Sequence, residues 1–341
     1  MAAKDGGAAS APAESLNMQI AITYAYIVLW IGLSATVILI NKYILAFSGF
    51  PFPIALTLTH MAFCASLAFV LIKLGVSDTV HMDRQTYTRC VLPIALLFSG
   101  TLWMGNAAYL YLSVAFIQMI KALMPAAVYA AGIAMGTEKY DFNLLLNMVV
   151  VVIGVAAASY GELNFNLTGV IFQFGSIATE STRLVLIQIL LQQRGIKLNP
   201  ITTLYYIAPA CFCFLLIPFA FLEAPRLFAS NEEINVNIPI LLMSAAAAFG
   251  LNMSVFLLIG KSSALTMNVA GVMKDWLLIL LSVMMFASPV TGLQLAGYGI
   301  AFLGVCWYNY LKYKGMQAAN NQVAAPPSEQ EKAPLMNASK A

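Results

Sequence analysis

Residues 92–135 read LPIALLFSGTLWMGNAAYLYLSVAFIQMIKALMPAAVYAAGIAM, with Lys121 as the one charge in the run. A bilayer core about 30 Å thick is crossed by about 20 helical residues. The run is therefore too long for one crossing and fits two, divided near Tyr111–Ser113. Two crossings joined by so short a break imply a polytopic α-helical membrane protein.

The rest of the chain agrees. It is 61% hydrophobic and 9% charged, where a soluble domain carries about 25% charged residues. Apolar runs predict ten transmembrane helices, near 19–41, 53–74, 91–111, 114–136, 143–160, 166–192, 199–222, 237–259, 263–286 and 291–312. The turn at Phe50–Pro53 and the polar stretch Gly75–Arg89 separate the first three. Residues 1–17 read as a short tail without the Arg-rich pattern of a transit peptide. Residues 315–341 are rich in Pro, Ala and polar side chains and are expected to be disordered.

Basic residues orient the spans. Ten crossings put Lys4, Lys73, Arg84, Arg89, Lys139, Arg194, Lys197, Lys261, Lys312 and Lys314 on the side of both termini, and only Lys42 and Arg226 on the other. Positive charge stays cytosolic, so both termini are expected in the cytosol, and the sequon Asn337-Ala338-Ser339 is expected to escape glycosylation. The five cysteines fit neither a zinc site nor a disulfide framework, and read as small buried hydrophobes.

The chain also looks duplicated. Ile153-Gly154-Val155 is followed by Tyr160, and Leu303-Gly304-Val305 by Tyr310, at the same spacing; Lys121 and Lys274 precede the two glycines by 33 and 30 residues. Repeat one would be 18–161 and repeat two 162–314, with 18–314 as the transporter domain. Five spans per half is an odd number, so the halves would be inverted, an arrangement that places substrate near the midplane between them.

Two lysines sit inside spans. Lys121 lies in the fourth and Lys274 in the ninth, where a lysine costs about 2.5–3.5 kcal/mol. The functional reading is a pair of cations facing a cavity that binds an anion; the alternative is a buried ion pair or a snorkelled side chain. Gln118 shares a helical stripe with Lys121, and Gly271 with Lys274, where it leaves room for a ligand. Pro125 removes the helical donor for the carbonyl of Lys121 and is expected to bend its span. Asp275, about 100° around the helix from Lys274, is poorly placed to neutralise it, and either pairs elsewhere or meets a ligand hydroxyl. Glu180 and Arg183 are i, i+3 neighbours that either pair together or contact substrate. Asn106, Tyr109, Tyr205, Tyr206 and His60 either contact a ligand or join helices.

At these residues the sequence resembles the drug/metabolite transporter superfamily, in its branch of triose-phosphate translocators and nucleotide-sugar transporters. Ser113–Pro125 is similar to the span-four motif of that branch. Asn268-Val269-Ala270-Gly271-Val272-Met273-Lys274-Asp275 is similar to its span-nine motif, which brings Asn268 into the candidate site. Lys274 matches the lysine ending the GALNK motif of Golgi GDP-mannose carriers, and Leu204-Tyr205-Tyr206-Ile207 lies where those carriers have FYNN. Plastid phosphate translocators follow the span-nine lysine with arginine; here Asp275 marks the plant Lys-Asp subgroup. The resemblance implies an antiporter in the Golgi membrane that exchanges a nucleotide sugar, foremost a UDP-sugar, for a nucleoside monophosphate. A translocator of sugar phosphate or another organic phosphate is the alternative.

No cofactor and no metal site is expected, since His60 and His81 are too few and too far apart. The partners expected are an anionic phosphorylated small molecule and the lipid bilayer, with no nucleic acid; a homodimer is left open. An embedded enzyme would need acidic metal-binding pairs or a nucleophile at the membrane face, and the sequence offers neither.

Overall fold

The computed structural model describes residues 16–77, 82–194, 199–229, 237–261 and 264–324. Of the expected tail 1–17, residues 1–15 lie outside the described residues and Leu16 and Asn17 already belong to the first helix; 325–341 with its sequon also lies outside them. The chain runs through α1 (Leu16–Ala46), α2 (Pro53–Lys73), α3 (Arg84–Thr86), α4 (Leu92–Tyr111), α5 (Val114–Lys121), α6 (Met124–Ala134), α7 (Phe142–Tyr160), α8 (Leu167–Arg194), α9 (Pro200–Pro218), α10 (Ala224–Ala229), α11 (Ile238–Lys261), α12 (Ala264–Phe286) and α13 (Gly292–Ala324). Two π-helical turns, Tyr87–Val91 and Phe219–Glu223, carry α3 into α4 and α9 into α10.

Among the described residues eight helical stretches are long and apolar enough to cross a membrane, between Ala21–Ala46 and Ile238–Val255. The division at Leu112–Ser113 is where the apolar run required it. The ninth and tenth expected spans coincide with α12 and α13. α13 mixes Gln294, Asn309 and four glycines into its first turns and middle, which lowers its hydropathy.

Three expectations need correction. The helix of span three begins earlier than 91: the Asp83 side chain accepts from Gln85 N at 3.2 Å and starts it at Arg84. α13 does not stop at 314 but continues to Ala324, because Met316-Gln317-Ala318-Ala319 favours helix and no proline intervenes before Pro326. Of the five free cysteines, Cys213 and Cys306 are exposed rather than buried.

The chain divides into two compact units. The first holds Met1–Gln118 with Asn164–Pro289. In it α4 packs on α8, α1 on α11 and α2 on α9, with α2 also against α11 and α4 against α9. Ile54, Met61, Cys64 and Ala68 of α2 interlock with Leu204, Ala208, Cys211 and Leu215 of α9 in its core. α4 and α8 approach closely at glycine: a Cβ on Gly175 would stand 2.5 Å from Met104 Sδ. Two helix ends are closed by charge. Glu223 accepts from Ile54 N and Ala55 N, both at 2.8 Å, at the positive start of α2. Lys42 donates to Tyr109 O (2.7 Å) and Leu112 O (3.0 Å) at the negative end of α4.

The second unit holds Met119–Leu163 with Val290–Ala341. Its centre is α7 against α13, in backbone contact. A Cβ on Gly154 would stand 2.4 Å from Ala301 N, and one on Gly297 2.4 Å from Ala158 N. Asn147 Nδ2 donates to Gly304 O at 2.9 Å. Thr291 Oγ1 donates to Gly161 O, Gln294 bonds Glu162, and Lys312 pairs with Glu138.

Candidate functional site

Lys274 sits in the middle of α12, with its side chain only 19% exposed. Its Nζ lies 5.4 Å from the ring centroid of Trp30 on α1. Gly271, one turn earlier, faces the same ring: a Cβ there would first meet Trp30 Cη2, at 3.9 Å. The aromatic face attracts the ammonium without using its N–H groups, and the glycine keeps the approach open. Asp275 Oδ1 stands 3.4 Å from Lys274 Nζ. This corrects the expectation that Asp275 points too far away: the four-carbon lysine stem swings around the helix to meet it.

Gln118 on α5 is 1% exposed, and neither its Nε2 nor its Oε1 has a hydrogen-bond partner. Gln173 on α8, which the sequence did not single out, is in the same condition. A buried amide without partners costs free energy. Ala115 N–H reaches Ser282 Oγ at 3.3 Å, which ties the start of α5 to α12.

Lys121 closes α5 in the second unit and is half-buried. The helix breaks after it as Pro125 requires. Pro125 has no N–H to offer four residues on, and Ala122 N and Leu123 N turn back to Met119 O (3.2 Å) and Ile120 O (3.0 Å).

Other candidates are engaged by neighbouring helices. Asn106 accepts from Asn41 Nδ2 (3.1 Å) and donates to Thr57 Oγ1 (3.0 Å), which donates to Pro53 O. Ser244 Oγ donates to Asn41 Oδ1 at 2.6 Å, so it must accept from His60 Nε2 at 3.0 Å, which puts the neutral ring's proton on Nε2. One chain of hydrogen bonds thus joins α1, α2, α4 and α11. Tyr109 is buried, and its carbonyl receives Lys42. Glu180 and Arg183 pair bidentately, at 2.8 Å (Nε to Oε2) and 2.5 Å (Nη2 to Oε1), with the guanidinium 4.7 Å from the Phe98 ring. Tyr205 and Tyr206 lie edge to face at 5.1 Å, Tyr205 stacks on Phe69, and Tyr206 meets Tyr87. The side chain of Asn268 lies outside the described residues.

The structure therefore brings Lys274, Asp275 and Gly271 together with Trp30, a residue the sequence gave no reason to choose. It also moves Lys42 from an expected loop to a buried place in α1. Asn41 next to Lys42, at the end of an apolar run, is the signal that marks the position as more than loop.

The profile of the Triose-phosphate Transporter family matches residues 21–309. The chain belongs to this family. Two Arabidopsis thaliana relatives, each named "Probable sugar phosphate/phosphate translocator", are 50% identical over 320 residues (93% of this chain, 90% of the relative) and 49% identical over 331 residues (96% and 93%). A third, "UDP-galactose transporter 1" of the same plant, is 31% identical over 290 residues (83% and 85%). A crystal structure 14% identical covers 87% of this chain and 99% of its own at a TM-score of 0.50, a likeness of fold alone. This triose-phosphate transporter family member is a multi-pass membrane transporter and not an enzyme.

Proposed function

We propose that this transporter exchanges a phosphorylated sugar for inorganic phosphate, and that Lys274 receives the phosphate. The observation that carries this is the Lys274 ammonium, in mid-helix, between Trp30 and the space left by Gly271. An anion arriving there displaces Asp275 and gains charge-assisted hydrogen bonds. Gln118 supplies an unpartnered amide for the neutral part of the cargo. Lys121 is a candidate cation for anion binding in its own right, on its position in the sequence. The two nearest-in-name Arabidopsis proteins support sugar phosphate over the nucleotide sugar first expected.

The arrangement is ten spans in two inverted repeats, 18–161 and 162–314. Helix pairing supports it: under that register α4 on α8 matches α11 on α1, and α4 on α9 matches α11 on α2. Shifted by a constant 150 residues, Gly154 against Ala301 matches Gly304 against Val151, and Asn147 at Gly304 O matches Gly297 at Gly154 O. Both termini are cytosolic by the basic asymmetry, and the membrane is that of the Golgi or a neighbouring compartment.

The second reading, a UDP-sugar for a nucleoside monophosphate, draws on the UDP-galactose transporter likeness and the Tyr205–Tyr206 pair. Proteoliposomes separate the two. Uptake of labelled glucose 6-phosphate or triose phosphate driven by internal phosphate, and not by internal uridine monophosphate, is expected. Uptake of UDP-galactose driven only by the monophosphate refutes the first reading.

A further inference from the structure

We infer that the first unit holds a site for one anionic phospholipid, its acyl chain in a groove between α2, α9 and α11 and its phosphate on Arg226. The groove has a volume of about 800 Å³ and is lined by apolar side chains, among them Leu58, Ala62 and Phe63 of α2, Phe212 of α9 and Leu241 of α11. It contains none of the residues assigned to cargo. Leu227 and Phe228 of α10 close one end, and Arg226 stands immediately before them.

Arg226 makes this groove different from an ordinary lipid-facing cleft. Its side chain is exposed, and its guanidinium lies 5.8 Å from the ring of Phe52, two residues from Phe50 of the groove wall. Among the described residues no carboxylate forms an ion pair with it. The nearby Glu223 attracts Arg226 electrostatically without reaching ion-pair distance; its two oxygens are taken by backbone N–H groups of α2, so the donors of the guanidinium are left for another acceptor. An exposed guanidinium with five planar N–H donors therefore sits on the residue before the groove wall, and such a group binds phosphate. The position is also unusual for a cation. By the basic asymmetry it lies on the side poor in positive charge, and the other cation of that side, Lys42, is buried on carbonyls. An exposed arginine kept on that side is accounted for by an anion that it holds.

The test is native mass spectrometry of the purified full chain in detergent, titrated with dioleoyl phosphatidylglycerol and dioleoyl phosphatidylcholine. One phosphatidylglycerol is expected to bind at least about tenfold more tightly than phosphatidylcholine, the weight of a charge-assisted contact. Arg226→Gln should level the two lipids, and Ala62→Phe should weaken both. Dihexanoyl phosphatidylglycerol, too short to fill the groove, should bind the parent poorly. Equal binding of the two headgroups by the parent, or a preference that survives Arg226→Gln, overturns the phosphate contact. Short chains binding as well as long ones overturns the groove, and needs no variant to fold.

Discussion

The Nζ of Lys274 stands 3.4 Å from Oδ1 of Asp275, so the cation proposed to receive cargo has a counter-anion in the adjacent residue. Cargo must compete with that carboxylate. A partly exposed pair of this kind contributes up to about 1 kcal/mol, so Asp275→Asn should lower the KM for phosphate by up to about fivefold. The check is the concentration dependence of exchange in proteoliposomes. A raised KM would instead mean that Asp275 touches the cargo itself.

Lys274→Ala should bring exchange down by about ten- to a hundredfold or more, while the protein still folds and reaches its membrane. Loss of the ammonium removes a cost of insertion rather than a support of the fold. Lys274→Arg keeps charge but not shape, and partial activity is expected. Lys121→Ala should act in the same direction. Rates normalised to folded protein decide it: parent-like exchange by Lys274→Ala would make the lysine structural.

Gln118→Leu should stabilise the protein and slow transport. The wild-type amide is buried with both ends unsatisfied, a condition that costs about 1–3 kcal/mol. Leucine of similar size removes that cost along with the group offered to cargo. A thermal melt in detergent together with an exchange rate tests both halves; a fall in melting temperature would show that unseen partners satisfy the amide.

Asn106→Val should do the reverse, with less stability and cargo selectivity unchanged. Its amide bridges Asn41 and Thr57. A double-mutant cycle with Asn41→Val should give a coupling of about 0.6–1.7 kcal/mol, the range of interhelical hydrogen bonds in membranes. A coupling near zero would remove Asn106 from the network.

Gly154→Ala should prevent stable folding, since its Cβ would fall 2.4 Å from Ala301 N, a backbone atom that cannot turn aside. A loss of about 3 kcal/mol or more is expected. Gly299→Ala on α13 is the control: nothing lies within 4 Å, and replacing a helical glycine there should gain about 0.5–1 kcal/mol. Expression and melting of both variants read the difference.

Span length, the break at Ser113 and the bend before Pro125 were legible in the sequence because each follows from local rules: how far a helix reaches, and which residue lacks an N–H. The mid-helix position of Lys274 was legible because the apolar run on either side of it is long enough to fix the span. The pairing of Asp275 was not, since residue spacing fixes the direction of a Cβ but not the path of a long side chain. Asn106 read as either ligand contact or helix joint, because its partner Asn41 lies 65 residues away along the chain and the next link, Ser244, 203 residues from Asn41. Lys42 was hidden for a similar reason: its partners are carbonyls, which carry no sequence signal.

α13 runs 33 residues, from Gly292 to Ala324. At about 1.5 Å per residue that is a rod of about 50 Å, against a hydrocarbon core of about 30 Å. From Lys312 the sequence KYKGMQAANNQVA is polar, so the surplus of about 20 Å stands in water past the end of the crossing. The described helix therefore ends at the tip of a stiff arm rather than at the lipid headgroups. At cellular salt the field of those headgroups decays over about 8 Å, so the charges near Lys314 sit within reach of the membrane surface while the end of the arm at Ala324 stands beyond its counterion layer.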